Sequence, residues 1–248
     1  MEDNESTFCS LWTQHIRIKN CADLFINEKF AGDYFFNRLN NVACPDITVI
    51  EESIRIFSEK SLNCYVYISD YDKNLENILL KRGFSLIDIM HVLKFDLNNI
   101  ENDEYKFQVT KIDLNTLPVW IDVFCKSFDA SDWKSEVEKI VKSYFREFTL
   151  LMSYINYNYN KIPSGCVALF NRYNLMGLYC LGTLSPFRGQ GIAKNMIKIS
   201  LSVAQQENLD FLFLQTFNKE GLIRFYKRMG FQIVYNKKIY VLYDNQHK

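Results

Sequence analysis

Glycine and proline are scarce in this 248-residue chain, at 9 and 4, and there are only three histidines, His15, His91 and His247. So little glycine and proline excludes a collagen-like or mucin-like chain, and a 48% hydrophobic composition excludes a wholly disordered one. The histidines lie far apart and none stands at a ligand spacing from a cysteine, so no metal site is expected. There is no run of 18 apolar residues, which excludes a membrane-crossing helix. The N-terminus, MEDNESTFCS, lacks an apolar core, so no secretory signal is expected there. The seven cysteines, Cys9, Cys21, Cys44, Cys64, Cys125, Cys166 and Cys180, form no CxxC pair. They read as free buried thiols in a reducing, cytoplasmic compartment. In that setting the lone triplet Asn4-Glu5-Ser6 reads as a chance glycosylation sequence.

An excess of either charge is also missing: 29 basic residues face 29 acidic ones. That balance excludes a generally polybasic nucleic-acid binder. The distribution is uneven, however. Residues 1–104 carry 18 acidic and 10 basic residues, net −8, and residues 105–248 carry 11 and 19, net +8. Two oppositely charged halves suggest a two-part protein whose second part handles an anion.

Two stretches share one grammar. Residues 63–96 read as strand (Asn63–Ser69), helix (Leu75–Arg82), Gly83-Phe84 turn and strand (Leu86–Phe95). Residues 209–242 repeat it as strand (Leu209–Phe217), helix (Glu220–Met229), Gly230-Phe231 turn and strand to Leu242. In each, a glycine after the last helical turn supplies a left-handed stop. The acidic segment NNIENDEY, Asn98–Tyr105, reads as a linker between them. The second half adds a strand at Tyr105–Lys111, helices at Leu117–Ser127 and Trp133–Phe145, and a hairpin (Thr149–Tyr157, turn Asn160–Gly165, return Cys166–Phe170). A strand at Leu175–Leu184 and a helix at Gly189–Glu207 follow. Strands before and after that helix imply a βαβ crossover, with Leu175–Leu184 and Leu209–Phe217 as parallel neighbours. The fold class is therefore mixed α/β.

Chemistry concentrates in Leu184-Ser185-Pro186-Phe187-Arg188-Gly189-Gln190-Gly191-Ile192-Ala193. A strand stops at proline and two glycines open a helix, whose free N–H groups can cradle phosphate while glycine lets it approach. Neither a P-loop nor a dinucleotide fingerprint matches, since GxxxxGK[ST] is absent and position 194 is Lys194, not glycine. On the glycine pair alone, an ordinary eased helix start explains the pattern equally well.

The run Arg188–Ala193 resembles the Arg/Gln-x-x-Gly-x-Gly/Ala signature of the Gcn5-related N-acetyltransferases (GNAT), and Tyr226-Lys227-Arg228-Met229-Gly230-Phe231 resembles that family's Tyr-x-x-x-Gly-Phe helix end. With the strand order, the likeness covers residues 105–242. It implies a GNAT-like acyl-coenzyme A N-acyltransferase fold, arranged as two tandem domains with a mixed sheet in each. Residues 1–97 would be a degenerate, shortened copy, 98–104 the linker and 105–248 the acetyltransferase domain. By resemblance, Arg188, Gly189, Gln190, Gly191, Ile192, Ala193 and Lys194 would hold the pyrophosphate of acetyl-coenzyme A (acetyl-CoA). The backbone of Leu181, Gly182, Thr183 and Leu184 would pair with its pantetheine arm and polarise the thioester carbonyl, with Gly182 marking a bulge. Asn218 would help bind the cofactor. Tyr226 would protonate the departing thiolate, a sensible match of acidities for a phenol.

The proton acceptor for the attacking amine is a gap. Asn171–Leu184 contains no Asp or Glu, leaving Tyr173, Tyr179 and Glu147 as unranked relays. A thiol nucleophile at Cys180 lacks an activating histidine nearby in sequence. The expected activity is transfer of acetyl to a primary amine of a small molecule or peptide in a ternary complex, without metal, nucleic acid or membrane. The acidic first half points toward a cationic acceptor. The alternatives are a catalytically silent coenzyme A-binding or protein-interaction module and an acyltransferase with a longer donor.

Overall fold

The computed structural model describes residues 1–44, 46–99 and 105–244, so most of the expected linker lies outside the described residues. Along the first part of the chain run α1 (Glu2–Trp12), β1 (Gln14–Ile18), β2 (Ala22–Ile26), β3 (Arg38–Asn40), α2 (Ile47–Glu59), β4 (Cys64–Ser69), α3 (Lys73–Lys81) and β5 (Ser85–Asp96). Then come β6 (Gln108–Lys111), α4 (Leu117–Ser127), α5 (Lys134–Ser143), β7 (Thr149–Tyr157), β8 (Asn160–Arg172) and β9 (Leu175–Thr183). The last elements are α6 (Ile192–Gln206), β10 (Phe211–Phe217), α7 (Ile223–Arg228) and β11 (Gln232–Leu242).

The chain divides into two compact units, both discontinuous in sequence. One holds Met1–Glu5, Leu93–Gln215 and Tyr226–Gln232; the other holds Ser6–Val92, Thr216–Phe225 and Ile233–Lys248. The fold is mixed α/β, as expected. The finer expectation of a separate sheet for each half is not what the strands do: all eleven follow one hydrogen-bonded order, β1-β2-β3-β4-β11-β5-β10-β9-β8-β7-β6. Each strand-helix-Gly-Phe-strand module has its two strands separated in that order by the last strand of the other module.

In the unit of Ser6–Val92, α2 and α3 are amphipathic and bury Val49, Ile50, Phe57, Leu75 and Leu79 with Leu24, Leu39, Val66, Ile68 and Tyr240 of the strands. Asp46 and Asp72 cap the two helices by accepting from Thr48 and Leu75 N–H. Sequence reading missed α1, β1 and β2. The β1–β2 turn is Lys19-Asn20, both at positive φ (46° and 56°), so it lacks the glycine that usually betrays such a hairpin. The last strand, β11, pairs antiparallel with β4 from Lys237↔Ser69 to Leu242↔Cys64. Glu76 fastens it: the carboxylate accepts from Lys238 Nζ at 2.7 Å and Lys73 Nζ at 2.8 Å, and from the Tyr240 hydroxyl. These donors hold the Glu76 carboxyl down from its ordinary 4.5 to about 2.

One expectation about cysteine is overturned. Cys21 and Cys44 form a disulfide with their Cα atoms 5.7 Å apart, and Cys9, Cys64, Cys125, Cys166 and Cys180 keep their thiols. The pair meets because antiparallel β2 and β3 bring the segments flanking them together, with Ala43 N–H donating to Cys21 C=O at 2.7 Å. Residues 23 apart in sequence leave no local pattern to announce this.

In the unit of Leu93–Gln215, α4 and α5 bury Trp120, Phe124, Val137 and Val141. Trp120 stacks on Phe124 and donates Nε1–H to Leu151 C=O at 3.1 Å. The β7–β8 hairpin turns at Asn158-Tyr159 (φ 47° and 62°), so the expected turn residues Asn160–Gly165 lie inside β8. A register irregularity at Ser153/Tyr154 accommodates Pro163, which has no N–H to give the ladder. Asn4 is fully buried here, and its Nδ2 donates to Phe170, Leu175 and Arg172 C=O. An amide so engaged cannot accept a glycan, which gives the chance reading of the Asn4-Glu5-Ser6 triplet a physical cause.

Because the folded Glu76 carboxyl is depressed, the stability it contributes is full above its unfolded value near 4.5 and is lost as pH falls toward about 2. Acid unfolding followed by circular dichroism should therefore show Glu76→Gln less stable than wild type at pH 7, with the difference vanishing near pH 2. Alkylation of the denatured, unreduced protein followed by mass spectrometry should modify five thiols, and seven after reduction.

Candidate functional site

The candidate site is built where β9 ends and α6 begins. The expected parallel pairing is present, with Leu212↔Met176, Phe213↔Gly177 and Leu214↔Leu178 in register. Immediately beyond, β9 bulges: Ala168 faces Tyr179 and Cys166 faces Gly182, so Cys180 and Leu181 together oppose Val167. Cys180 carries the bulge at φ 55°, a conformation uncommon outside glycine. Gly182, expected to mark a bulge, lies just past it and answers a different demand. A Cβ there would lie 2.6 Å from Ser127 Cβ and 3.1 Å from the Phe128 ring, so its bareness lets the end of α4 press on the strand.

Leu181 and Thr183 are half-buried. Leu184 N–H donates to Ser164 C=O at 2.9 Å, and Ser185–Phe187 form a single 3-10 turn. Arg188 then reaches back: Nε donates to Thr183 C=O at 3.1 Å and an Nη to Ser127 C=O at 2.8 Å. The guanidinium thus sits on the last carbonyl of β9 and at the C-terminus of α4, where the helix dipole favours a cation.

Gly189 and Gly191 have φ of 77° and 93°, and a Cβ at either would meet nothing within 4 Å. They are glycines for their backbone conformation and for the open space above them. Gly191 begins α6 with no side-chain cap, and the first turn has no acidic residue. Asn195 N–H makes the intrahelical bond to Gly191 C=O at 3.0 Å, and the N–H groups of Ile192, Ala193 and Lys194 precede it. An uncapped helix start with Lys194 in its first turn is electrostatically suited to an anion.

Tyr226 belongs to the same compact unit and is 6% exposed; its ring packs edge-on to Phe231 at 6.0 Å. Its carbonyl accepts from Met229 and Phe231 N–H, closing α7 onto Gly230, whose φ of 92° is the left-handed stop. A Cβ on Gly230 would lie 2.7 Å from Phe95. Asn218 opens a 3-10 turn, Asn218–Glu220, assigned to the other unit.

The proposed relays separate clearly. Tyr173 is exposed in the β8–β9 turn, and Glu147 is ion-paired with Arg172. Tyr179, by contrast, directly follows the last paired residue of the parallel ladder, and its hydroxyl donates to Asn4 Oδ1 at 3.0 Å. Burial pushes the Cys166 and Cys180 thiols above their ordinary range, which disfavours the thiolate at either. Ser127, whose hydroxyl is buried beside Gly182, was missed from sequence. Its only signal was its place at the end of a predicted helix.

Residues 118–231 match the model of the acetyltransferase (GNAT) family. The match lies within the C-terminal half of the chain and takes in both α6 and the glycine turn after α7. A curated relative, the probable N-acetyltransferase san of Drosophila melanogaster, is 40% identical over 88 residues, covering 33% of this chain and 48% of its own length. The chain thus matches about half of that relative. Among solved structures, the GCN5-related N-acetyltransferase from Kribbella flavida superposes with a TM-score of 0.69 at 10% identity, over 97% of this chain and 94% of that one. A tandem GNAT protein from the clavulanic acid biosynthesis pathway gives 0.63 at 8% identity, over 85% of this chain and 76% of that one. At these identities the structural likeness concerns the fold.

A side chain at Gly191 would strain the left-handed backbone, costing about 1–2 kcal/mol. Gly191→Val should lower the melting temperature by about 2–8 °C in calorimetry.

Proposed function

We propose that this protein transfers the acetyl group of acetyl-CoA to a primary amine of a small molecule or peptide. The observation that carries the reading is the uncapped α6 start. Two left-handed glycines stand before it with open space above them, directly after a bulged parallel strand. The residues present fit the group: backbone N–H donors and a lysine suit the pyrophosphate, and a strand whose pairing is interrupted has peptide groups available for an extended amide arm. Bound acetyl-CoA supplies an activated thioester carbonyl.

On this reading, Gly189, Gln190, Gly191, Ile192, Ala193 and Lys194 hold the pyrophosphate mainly through backbone N–H groups. Arg188 acts as much by locking the loop to Thr183 and Ser127 as by its charge. Leu181, Gly182, Thr183 and Leu184 offer the peptide groups of β9 to the pantetheine arm. An N–H directed at the carbonyl oxygen would stabilise charge developing there. Tyr226 donates the proton that the departing sulfur needs, and the gain in rate comes chiefly from holding two reactants aligned.

The same proposal extends to the first half. Residues 1–97 are a degenerate copy of the fold, 98–104 a linker and 105–248 the working domain, which gives a tandem arrangement. In support, β4-α3-β5 and β10-α7-β11 both turn on a left-handed glycine, Gly83 at φ 84° and Gly230 at φ 92°. A cationic acceptor suits the acidic half. No helix among the described residues is long and apolar enough to cross a membrane. No cluster among them has the makings of a metal site. A cytoplasmic setting without a nucleic-acid partner belongs to the proposal.

A second reading, a silent coenzyme A-binding module, draws on the absence of a carboxylate from Asn171–Leu184. Release of free thiol from acetyl-CoA with a panel of amines separates the two. Turnover with at least one amine is expected. Tyr226→Phe should then lower kcat about 10²-fold with unchanged coenzyme A affinity; unchanged kcat would refute the acid role, and no turnover by wild type would favour the silent module.

A further inference from the structure

Of the seven cysteines, Cys9, Cys64, Cys125 and Cys166 are buried free thiols. Burial raises the Cys64, Cys125 and Cys166 thiols above their ordinary range. The bridged pair is placed differently. Cys21 and Cys44 are only half-buried, at the rim of the core that α2 forms with Ile18, Ala22 and Leu24. Ala43, next to Cys44, is exposed. A sulfur–sulfur bond at such a rim can be reached by an incoming thiolate, whereas thiols sealed in the core cannot.

The bridge joins two connections within the unit of Ser6–Val92. Cys21 follows the Lys19-Asn20 turn and leads into β2, and Cys44 stands between β3 and α2. Polar contacts tie the same two regions. Ala43 N–H donates to Cys21 C=O at 2.7 Å, and Asn41 Nδ2 donates to Asp23 Oδ2 at 2.9 Å. Lys19 Nζ pairs with Asp46 at 3.8 Å and donates to the Thr48 hydroxyl. Asp23 is itself steadied by Arg17 at 2.7 Å and His15 at 2.8 Å. These contacts keep two thiols within reach of each other when the bridge is open, so it can close again without refolding. Those made by Lys19 are exposed and individually weak, so the covalent tie dominates the hold on the start of α2.

We propose that Cys21–Cys44 is a reversible redox site whose partner is a dithiol. Closed, it pins the stretch before α2 to the β1–β2 turn; opened, it releases that stretch. In a reducing compartment a disulfide acts as a sensor rather than as a permanent staple. One thiolate of the dithiol attacks a sulfur of the bridge, forming a mixed disulfide and freeing the other cysteine. The second thiolate attacks the dithiol's own sulfur in that mixed disulfide, closing a cyclic disulfide and freeing the second cysteine. Two electrons pass to the bridge, and the two protons lost by the dithiol end on Cys21 and Cys44. This site stands independently of the acetyltransferase reading.

The test treats the native full chain with dithiothreitol, blocks free thiols with iodoacetamide and locates the label by mass spectrometry. Cys21 and Cys44 should be labelled after native reduction, while Cys9, Cys64, Cys125 and Cys166 stay unlabelled until the protein is denatured. Oxidised glutathione should restore the bridge. Hydrogen exchange at the amides of Ala43, Asp46, Thr48 and Val49, all hydrogen-bonded in the closed form, should quicken about tenfold or more on reduction. Exchange along β4 should stay unchanged. The double variant Cys21→Ser, Cys44→Ser should show the fast rates with or without dithiothreitol, and the wild-type measurements decide the matter should that variant not fold. A bridge that opens only in denaturant would make the pair a permanent staple and overturn the proposal. So would native reduction that leaves exchange at those four amides unchanged, or seven free thiols after treatment with oxidised glutathione.

Discussion

The bulge of β9 is the constraint on which the site depends. A regular strand would use each of its peptide groups in the ladders on its two sides. Placing Cys180 and Leu181 opposite the single residue Val167 breaks that regularity just after the parallel pair Leu178↔Leu214. Beyond the bulge, pairing with β8 resumes at Cys166↔Gly182 and Gly165↔Thr183. The strand then delivers the chain through one 3-10 turn to the start of α6. Gly189 and Gly191 bend the backbone there, and three N–H groups precede the first helical bond. Bulge and helix start are thus two ends of one short segment, both rich in donors.

What keeps that segment in place is close packing rather than charge. Gly182 lets Ser127 and Phe128 press on the strand, and Gly165 leaves room for Ile192 and Met196 of α6 within about 3 Å of where its Cβ would be. Arg188 ties the loop to carbonyls on both sides. At the other end of β9, Asn4 supplies hydrogen bonds to the hairpin carbonyls and takes one from Tyr179. Replacing a buried polar group with several partners strands all of them, at about 1–3 kcal/mol for each. The first five residues are therefore as much a part of this unit as the strands.

Much of this was legible in the sequence, for local reasons. Strands β4, β9 and β10, helices α4 and α6, and the glycine stops at Gly83 and Gly230 all announce themselves by periodicity or by a residue whose conformation few others adopt. The parallel β9–α6–β10 crossover followed from element order. What stayed hidden depends on distant contact. The disulfide joins Cys21 to Cys44 through strand pairing, and Asn4 meets β9 from 171 or more residues away. The bulge fell on Cys180 rather than on the glycine two residues later, because space against α4, not backbone freedom, is what position 182 requires. Turns built from Lys-Asn and Asn-Tyr rather than Asn-Gly concealed one hairpin and displaced another.

A crystal structure of the full chain with coenzyme A tests the central claim most directly. Pyrophosphate oxygens are expected within hydrogen-bonding distance of the N–H groups between Gly189 and Lys194. The pantetheine arm is expected alongside Leu181–Leu184, with the sulfur near Tyr226. Coenzyme A bound elsewhere, or with its pyrophosphate away from the start of α6, would contradict it.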